Sequence, residues 1–179
     1  MKLYWLDIES TGLSPDKDEL LELAIAEADL EYPFEIGPIC NPVFKFDAGM
    51  TRRMPDPFVI DMHTKSGLWA ECMRSTMTVL ESEDLLLSLV PEVIDREDRP
   101  TLAGSSVHFD HAFLCAKMPR LAARFSHRHY DVSAVKLFCR SLGMPKPPKA
   151  EAHRAHADIL ESIEHAKKCV DWLRSNLGG

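Results

Sequence analysis

The chain has 179 residues, of which 45% are hydrophobic and 27% charged, and its formal net charge is −7. This length fits a single domain, residues 1–179, and the negative charge without any run of Lys or Arg argues against a protein that grips long nucleic acid. No stretch approaches the roughly 18 consecutive apolar residues of a membrane helix, and the N-terminus lacks a signal-peptide layout, so we expect a cytoplasmic protein with no membrane contact. The five cysteines are odd in number and form no C-x-x-C, which argues against a disulfide framework or a cysteine zinc site.

The N-terminal part of the chain has the patterns of β-strands. Lys2–Glu9 is rich in aromatic and aliphatic residues and ends at a turn around Gly12. Leu20–Ala28 alternates between two sets of side chains with a period of two, which predicts a second strand. Val43–Phe46 is predicted as a third. Short connections between consecutive strands favour an antiparallel start to the sheet.

The rest of the chain alternates helices with short strands. Apolar spacing predicts a helix over Thr78–Ile94, and Thr101–Gly104 is a short buried strand after a proline. Further helices are predicted at His108–Lys117, from about Ser133, and at the C-terminus, where a stripe recurs at intervals of four and three: Ile159, Ile163, Ala166, Val170 and Leu173. This order predicts an α/β fold with a mixed central sheet flanked by helices.

Four acidic residues occur where a metal site could close. Asp7 and Glu9 are two apart on a predicted strand and therefore lie on one face, where their like charges repel. Asp110 opens a helix after the short strand, and Asp158 lies near the start of the last helix. Such oxygen ligands suit Mg²⁺ or Mn²⁺. Each acid taken alone is better explained as a solvated strand end or a helix cap, and it is their combination that indicates a metal site.

His153 precedes Asp158 by five residues. On one continuous helix that spacing would place the two side chains about 140° apart. We therefore expect His153 on the loop or first turn before the helix, where it is free to reach inward. His156 competes for the same role, and the spacing favours His153.

These residues form the ordered pattern D-x-E, D, H-x-x-x-x-D, and the chain resembles the oligoribonucleases of the DEDDh exonuclease superfamily. The first motif is Trp5–Leu13. Supporting segments occur along most of the chain: Glu22–Ala24, His63–Leu68, Ser75–Met77, Gly104–Asp110, Asp131–Ser133 and His153–Ser162. The resemblance implies an RNase H-like fold and 3′→5′ hydrolysis of short single-stranded RNA, dinucleotides included, to nucleoside 5′-monophosphates.

The resemblance also implies a homodimer and specific roles for site residues. Two divalent metal ions, Mg²⁺ or Mn²⁺, would be held by Asp7, Glu9, Asp110 and Asp158, and His153 would be the general base. Other matching positions would contact the bases or cap the far phosphate of a very short substrate: Leu13, Phe58, His63, Ser106, Arg128 and Ser133.

Two positions depart from the family pattern. Ser10 stands where oligoribonucleases typically have Met, and His127 stands where they usually have a Tyr that reaches the partner subunit's site. Both His and Tyr are planar and can stack, but the loss of the Tyr bears on dinucleotide preference and on the contact across the dimer. The departures leave a broader 3′→5′ exonuclease, acting on DNA or longer RNA, as the alternative function. A degenerate nuclease fold that only binds is a further alternative, whereas a zinc protein built on His108-x-x-His111 lacks cysteine partners.

Overall fold

A computed structural model describes residues 2–46, 56–146 and 153–177 of the chain, and all structural statements concern these ranges. Within them lie four strands: β1 (Lys2–Ser10), β2 (Leu20–Asp29), β3 (Thr101–Gly104) and β4 (His129–Asp131). The helices are α1 (Pro57–Lys65), α2 (Leu68–Cys72), α3 (Val79–Leu89), α4 (His108–Lys117), α5 (Pro119–Ala122), α6 (Val132–Ser141) and α7 (Ala155–Leu177).

The strands form one mixed sheet in the order β2-β1-β3-β4. β1 pairs antiparallel with β2 and parallel with β3, and β3 pairs parallel with β4, which confirms the predicted mixed sheet. Gly104 ends β3 where a Cβ atom would lie 2.6 Å from the carbonyl oxygen of Leu6. The absence of a side chain therefore lets the end of β3 approach β1, close to where Asp7 and Glu9 follow.

The two faces of β1 pack into different cores, and this determines where its acids point. The even-numbered residues 4–8 belong to a core shared with α3, α4 and α5. Leu3 and Trp5 belong to a second core shared with α7. Because side chains alternate along a strand, the next two residues on the α7 face are Asp7 and Glu9. The hydrophobic pattern of β1 thus directs both carboxylates toward the start of α7.

α3 is shorter than the predicted helix over Thr78–Ile94. It ends at Leu89, and Val90 is extended with φ −105° and ψ 111°. The cause is Pro91, whose ring disfavours helical backbone in the residue before it. Ile94 therefore lies beyond the helix and is 93% exposed instead of contributing to the core.

The predicted strand at Val43–Phe46 is wrong, because the segment forms only an isolated antiparallel bridge between Val43 and Glu22. Its amide groups donate to unrelated carbonyls: Phe44 to Leu21, Lys45 to Met77 and Phe46 to Cys72. A strand needs successive hydrogen bonds to one partner, and this segment instead ties β2 to the loops around α2 and α3.

α7 confirms the predicted C-terminal helix and its apolar stripe. Ile159, Ile163 and Ala166 are at most 3% exposed and pack against the sheet. The helix begins at Ala155, so His153 lies just before it, as the spacing predicted. No helix within the described ranges combines the length and apolar composition needed to cross a bilayer.

Candidate active site

Three of the four predicted acids converge at the end of β1. Asp7, Glu9 and Asp158 each offer a carboxylate oxygen, and these oxygens all lie within 4.8 Å of one another. Asp158 reaches them from the first turn of α7, which packs on the same face of the sheet. A set of carboxylate oxygens without sulfur or imidazole is the donor chemistry that Mg²⁺ and Mn²⁺ prefer, so the residues present fit a divalent cation.

Asp110 lies beside this cluster and is fixed by the backbone of β1. Its Oδ1 accepts a hydrogen bond of 3.1 Å from the amide of Ile8, the residue between Asp7 and Glu9. The side chain is buried, with 4% of its surface exposed. The start of α4 is thereby attached to the end of β1, with the fourth carboxylate next to the other three.

The burial of these acids opposes their ionisation. Desolvation raises the pKa of Glu9 to about 8, and the neighbouring charge of Asp158 adds to the effect. Desolvation likewise raises the pKa of Asp110 to about 8, although the hydrogen bond from Ile8 favours its charged form. The pKa of Asp7 is also raised well above its ordinary range, by burial first and by Asp110 next. A bound cation would offset this repulsion, which is a second reason that the cluster fits a metal.

His153 borders the same cavity as the acids. Its backbone has φ +47°, in the left-handed region that residues with a Cβ rarely adopt. His156, the competing histidine, is exposed and does not line the cavity. The structure therefore brings His153 to the carboxylates and leaves His156 outside.

The cavity has a volume of about 570 Å³ and is also lined by basic side chains that the sequence alone does not indicate. Lys136 and Arg140 from α6 and Lys146 beyond it line the cavity together with the acids. The spacing of Lys136 and Arg140 predicts that both lie on one face of the helix, because residues four apart are neighbours there. Without the position of α6 over the end of the sheet, however, Lys136 and Arg140 read as ordinary solvated residues.

Two predicted phosphate-contacting serines do come together in this cavity. The hydroxyl oxygens of Ser106 and Ser133 are 3.1 Å apart. Both residues are oriented by Asp131, whose Oδ1 accepts from the amide of Ser106 at 3.1 Å and from that of Ser133 at 2.8 Å. Asp131 is the N-cap of α6, so the cap that starts the helix also positions the serine pair.

Arg128 and His127 lie elsewhere in this chain. The Arg128 guanidinium donates to Glu97 at 3.0 Å, and both side chains are largely exposed. Arg128 lines a separate cavity of about 270 Å³, together with Tyr130. His127 is exposed and lines neither cavity. Within one chain, neither residue meets Ser106 and Ser133.

His63 is fully buried and therefore does not reach the cavity surface. Its Nε2 donates to the carbonyl oxygen of Ser10 at 3.0 Å and lies 3.8 Å from a carboxylate oxygen of Glu9. Desolvation lowers the pKa of His63, which favours the neutral ring. In this position His63 packs behind the end of β1 and binds the Ser10 carbonyl at the start of the turn.

That turn presents Leu13 to solvent, and Phe58 is exposed at the start of α1. The two side chains are 81% and 69% exposed. Asp18 anchors the turn by accepting a 2.8 Å hydrogen bond from the amide of Ser14. A Cβ at Gly12 would lie 2.6 Å from the Asp18 carboxylate, so glycine is needed for this close approach. Both exposed apolar side chains are available to contact a ligand.

Similar folds occur among solved exonucleases. Exonuclease I of E. coli in complex with a dT13 oligonucleotide has a TM-score of 0.70 at 16% identity, over 99% of this chain and 42% of that one. Exonuclease I from Methylocaldum szegediense has a TM-score of 0.69 at 18% identity, over 98% of this chain and 40% of that one. The chain thus spans less than half the length of these proteins. At such identities the likeness concerns the fold, and it confirms the RNase H-like architecture.

Relatives found by sequence share a higher identity with this chain than the solved structures do. The Exonuclease family model (RNase_T) matches residues 4–165. Oligoribonuclease of Corynebacterium diphtheriae is 39% identical, with 97% of this chain and 81% of that protein covered. The probable oligoribonuclease of Dictyostelium discoideum is 38% identical, with 93% of this chain and 87% of that protein covered. The chain therefore belongs to the exonuclease family, in the branch that contains the oligoribonucleases.

Proposed function

We propose that this protein is a metal-dependent 3′→5′ exoribonuclease that degrades short oligoribonucleotides, dinucleotides included, to nucleoside 5′-monophosphates. The observation that carries the proposal is the cavity in which Asp7, Glu9 and Asp158 meet His153. The oligoribonuclease relatives support the substrate class, since they match nearly the whole chain at 38–39% identity.

Two divalent ions, Mg²⁺ or Mn²⁺, are part of the proposal. Asp7, Glu9 and Asp158 would hold them, with Asp110 as the fourth acid. The chemistry that such cations supply when bound is Lewis-acid activation of water and neutralisation of charge on the phosphate and the leaving oxygen. The raised pKa values of Glu9 and Asp110 support this assignment, because these buried acids gain most from a cation.

His153 acts as the general base in the proposed reaction. An imidazole nitrogen of His153 accepts a proton from the attacking water as the water oxygen bonds to phosphorus. The bond from phosphorus to the 3′-oxygen of the preceding nucleotide breaks, and that oxygen leaves. The phosphate remains on the 5′-oxygen of the terminal nucleotide, which departs as a 5′-monophosphate.

Substrate binding involves the polar and apolar residues around the acids. Ser106 and Ser133 donate hydrogen bonds to a phosphate, and Lys136 and Arg140 supply positive charge along the same cavity. The exposed Leu13 contacts a base, and the exposed Phe58 stacks on a base. Such stacking accepts any base, because every base offers a π-face. A cavity of about 570 Å³ is the size of a small-molecule site, which favours an oligonucleotide of very few residues.

A homodimer completes the proposal. Arg128 and His127 are exposed and outside the cavity of their own chain, as expected if they serve a partner's site. Phe138 of α6 and Leu142 just after it are also exposed, an apolar pair that a second subunit could cover. Sedimentation velocity at assay concentration should give a dimer, and Phe138→Asp should weaken it. A wild-type protein that stays monomeric at micromolar concentration would contradict this part.

Product analysis tests the chemistry. A diribonucleotide incubated with Mg²⁺ should yield one nucleoside and one nucleoside 5′-monophosphate. Excess EDTA and the substitution Asp158→Asn should each abolish turnover while the protein stays folded by circular dichroism. A product with a 3′-phosphate, or full activity in EDTA, would rule out the proposed reaction.

A further inference from the structure

We infer that Arg154 is a positioning residue, which holds the general base His153 in place by bridging two carboxylates on other elements, Glu22 of β2 and Glu71 of α2. This role rests on the proposed function, because it requires His153 to act as the base. None of Arg154, Glu22 and Glu71 lines the cavity, so any effect on the reaction passes through another residue.

The inner half of the bridge is a buried carboxylate with all its partners in place. Glu22 has none of its surface exposed. Arg154 donates to it through Nε at 3.1 Å and through Nη2 at 3.0 Å. The amide of Ala155 donates at 3.0 Å and the side-chain amide of Asn41 at 3.1 Å. A buried charge with this many donors has one orientation, so it fixes residues 154 and 155 against the sheet.

The outer half of the bridge reaches α2. Arg154 donates to Glu71 through Nη1 at 3.0 Å and through Nη2 at 2.7 Å. Hydrogen bonds to Glu22 and Glu71 raise the pKa of Arg154, so its charge is permanent. A planar guanidinium can pair with two carboxylates at once, whereas a lysine ammonium acts as a single point charge.

His153 depends on this anchoring because of its backbone. Its φ of +47° is strained for a residue with a Cβ, and such conformations persist only where the surroundings hold them. The two peptide units that follow His153 are each held by Asp158: the Arg154 amide donates to Asp158 Oδ2 at 3.1 Å, and the Arg154 carbonyl accepts from the Asp158 amide at 3.0 Å. With the Arg154 side chain fixed as well, the chain on the C-terminal side of His153 is held in place.

A double-mutant cycle tests the inference through kcat and KM on a diribonucleotide at saturating Mg²⁺. Arg154→Lys keeps the charge but loses the two-sided bridge. It should lower kcat by about 10- to 100-fold, with KM within about threefold of wild type. In a His153→Ala background the same substitution should change kcat by less than about threefold, because no base is left to position. Mn²⁺ affinity, measured by equilibrium binding, should stay within about twofold of wild type.

Other outcomes overturn the inference in distinguishable ways. An equal loss of kcat in both backgrounds, or a loss of Mn²⁺ affinity as large as the loss of kcat, would mean that Arg154 acts on the fold or the metal site. If His153→Ala itself retains wild-type kcat, the proposed base is wrong and Arg154 has nothing to position.

Two further variants separate positioning from stability. Arg120 is a matched control, because it also bridges a buried glutamate and an exposed acid, Glu83 and Asp84, away from the cavity. Arg120→Lys should leave kcat unchanged in both backgrounds. If Arg154→Lys fails to fold, Glu71→Gln alters only the half-exposed end of the bridge. It should lower kcat by about threefold or more in wild type and not in His153→Ala, and no loss in wild type would overturn the inference.

Discussion

Glu9 and Asp110 are acids that the folded protein holds in a costly environment. Both have pKa values raised to about 8 by burial, above the values near 4 of an unfolded chain. A group whose folded pKa is raised contributes stability that is complete below its unfolded pKa and is lost as pH rises through its folded pKa. Without a cation, the site therefore becomes less stable as the pH rises from about 4 to 8.

The first prediction follows from this loss of stability with rising pH. In EDTA, the melting temperature should fall between pH 5.5 and pH 8, because the folded protein binds more protons than the unfolded chain in this window. Mg²⁺ or Mn²⁺ should raise the melting temperature more at pH 8 than at pH 5.5, since the ligands must be deprotonated to bind. A melting temperature in EDTA that increases toward pH 8 would show that these acids are not buried as described.

Asp110→Asn separates the needs of folding from those of catalysis. Asparagine still offers Ile8 an acceptor oxygen but cannot ionise. Turnover with Mg²⁺ should drop by at least about 100-fold, while the free energy of unfolding in EDTA at pH 8 should increase by about 1–3 kcal/mol. Asp98→Asn, which changes an exposed acid in the 3₁₀ turn at Arg96–Asp98, is the control and should alter neither quantity. Near-normal turnover in Asp110→Asn would remove Asp110 from the catalytic set.

The site residues differ in how far the sequence could predict their surroundings. Asp7 and Glu9 were predictable, because alternation along one strand fixes their common face. His153 was placed ahead of the last helix by spacing alone. The burial of His63 was not predictable, since it results from α1 and α2 folding over the turn at Ser10, a contact between distant parts of the chain. The bridge of Arg154 to Glu22 spans 132 residues and has no local signature.

Helices and strands were likewise predictable where local sequence determines them, and not where distant contacts do. β1, β2 and α4 begin and end within one residue of their predicted bounds, because hydrophobic periodicity is a local property. α3 ends early because Pro91 outweighs the apolar spacing beyond it. The segment after Pro42 looks like a strand from its composition but has no single partner to pair with. Pairing is decided by tertiary structure, which composition does not reveal.

The face of α6 toward the cavity gives a further prediction. Ser133, Lys136 and Arg140 all lie on the side of the helix that lines the cavity. Because the proposed contacts of Arg140 are to phosphate in both bound and reacting substrate, Arg140→Gln should raise KM for a diribonucleotide by about tenfold with little change in kcat. Lys167→Gln, on α7 and outside the cavity, should leave both constants unchanged. A fall in kcat at constant KM would instead assign Arg140 to the reaction step.

Across the whole molecule, charge and cavity size point to the same substrate class. The net charge of −7 is unfavourable for binding a long polyanion. Among the described residues, Lys136, Arg140 and Lys146 line the cavity that also holds the acids, so positive charge for phosphate is concentrated within a volume of about 570 Å³. A substrate with one or two phosphates gains all of this attraction. Each further phosphate of a longer strand is repelled by a protein whose net charge is −7.

The most direct test of the central claim is the turnover of 5′-labelled RNA of two to ten nucleotides, and of matching DNA, with Mg²⁺ or Mn²⁺ and with EDTA. We expect cleavage that requires metal, is fastest on the shortest RNA and declines with length. Equal or faster cleavage of ten-nucleotide RNA or of DNA would contradict the short-RNA assignment and favour a broader 3′→5′ exonuclease. No cleavage of any substrate with either metal would contradict the proposed activity altogether.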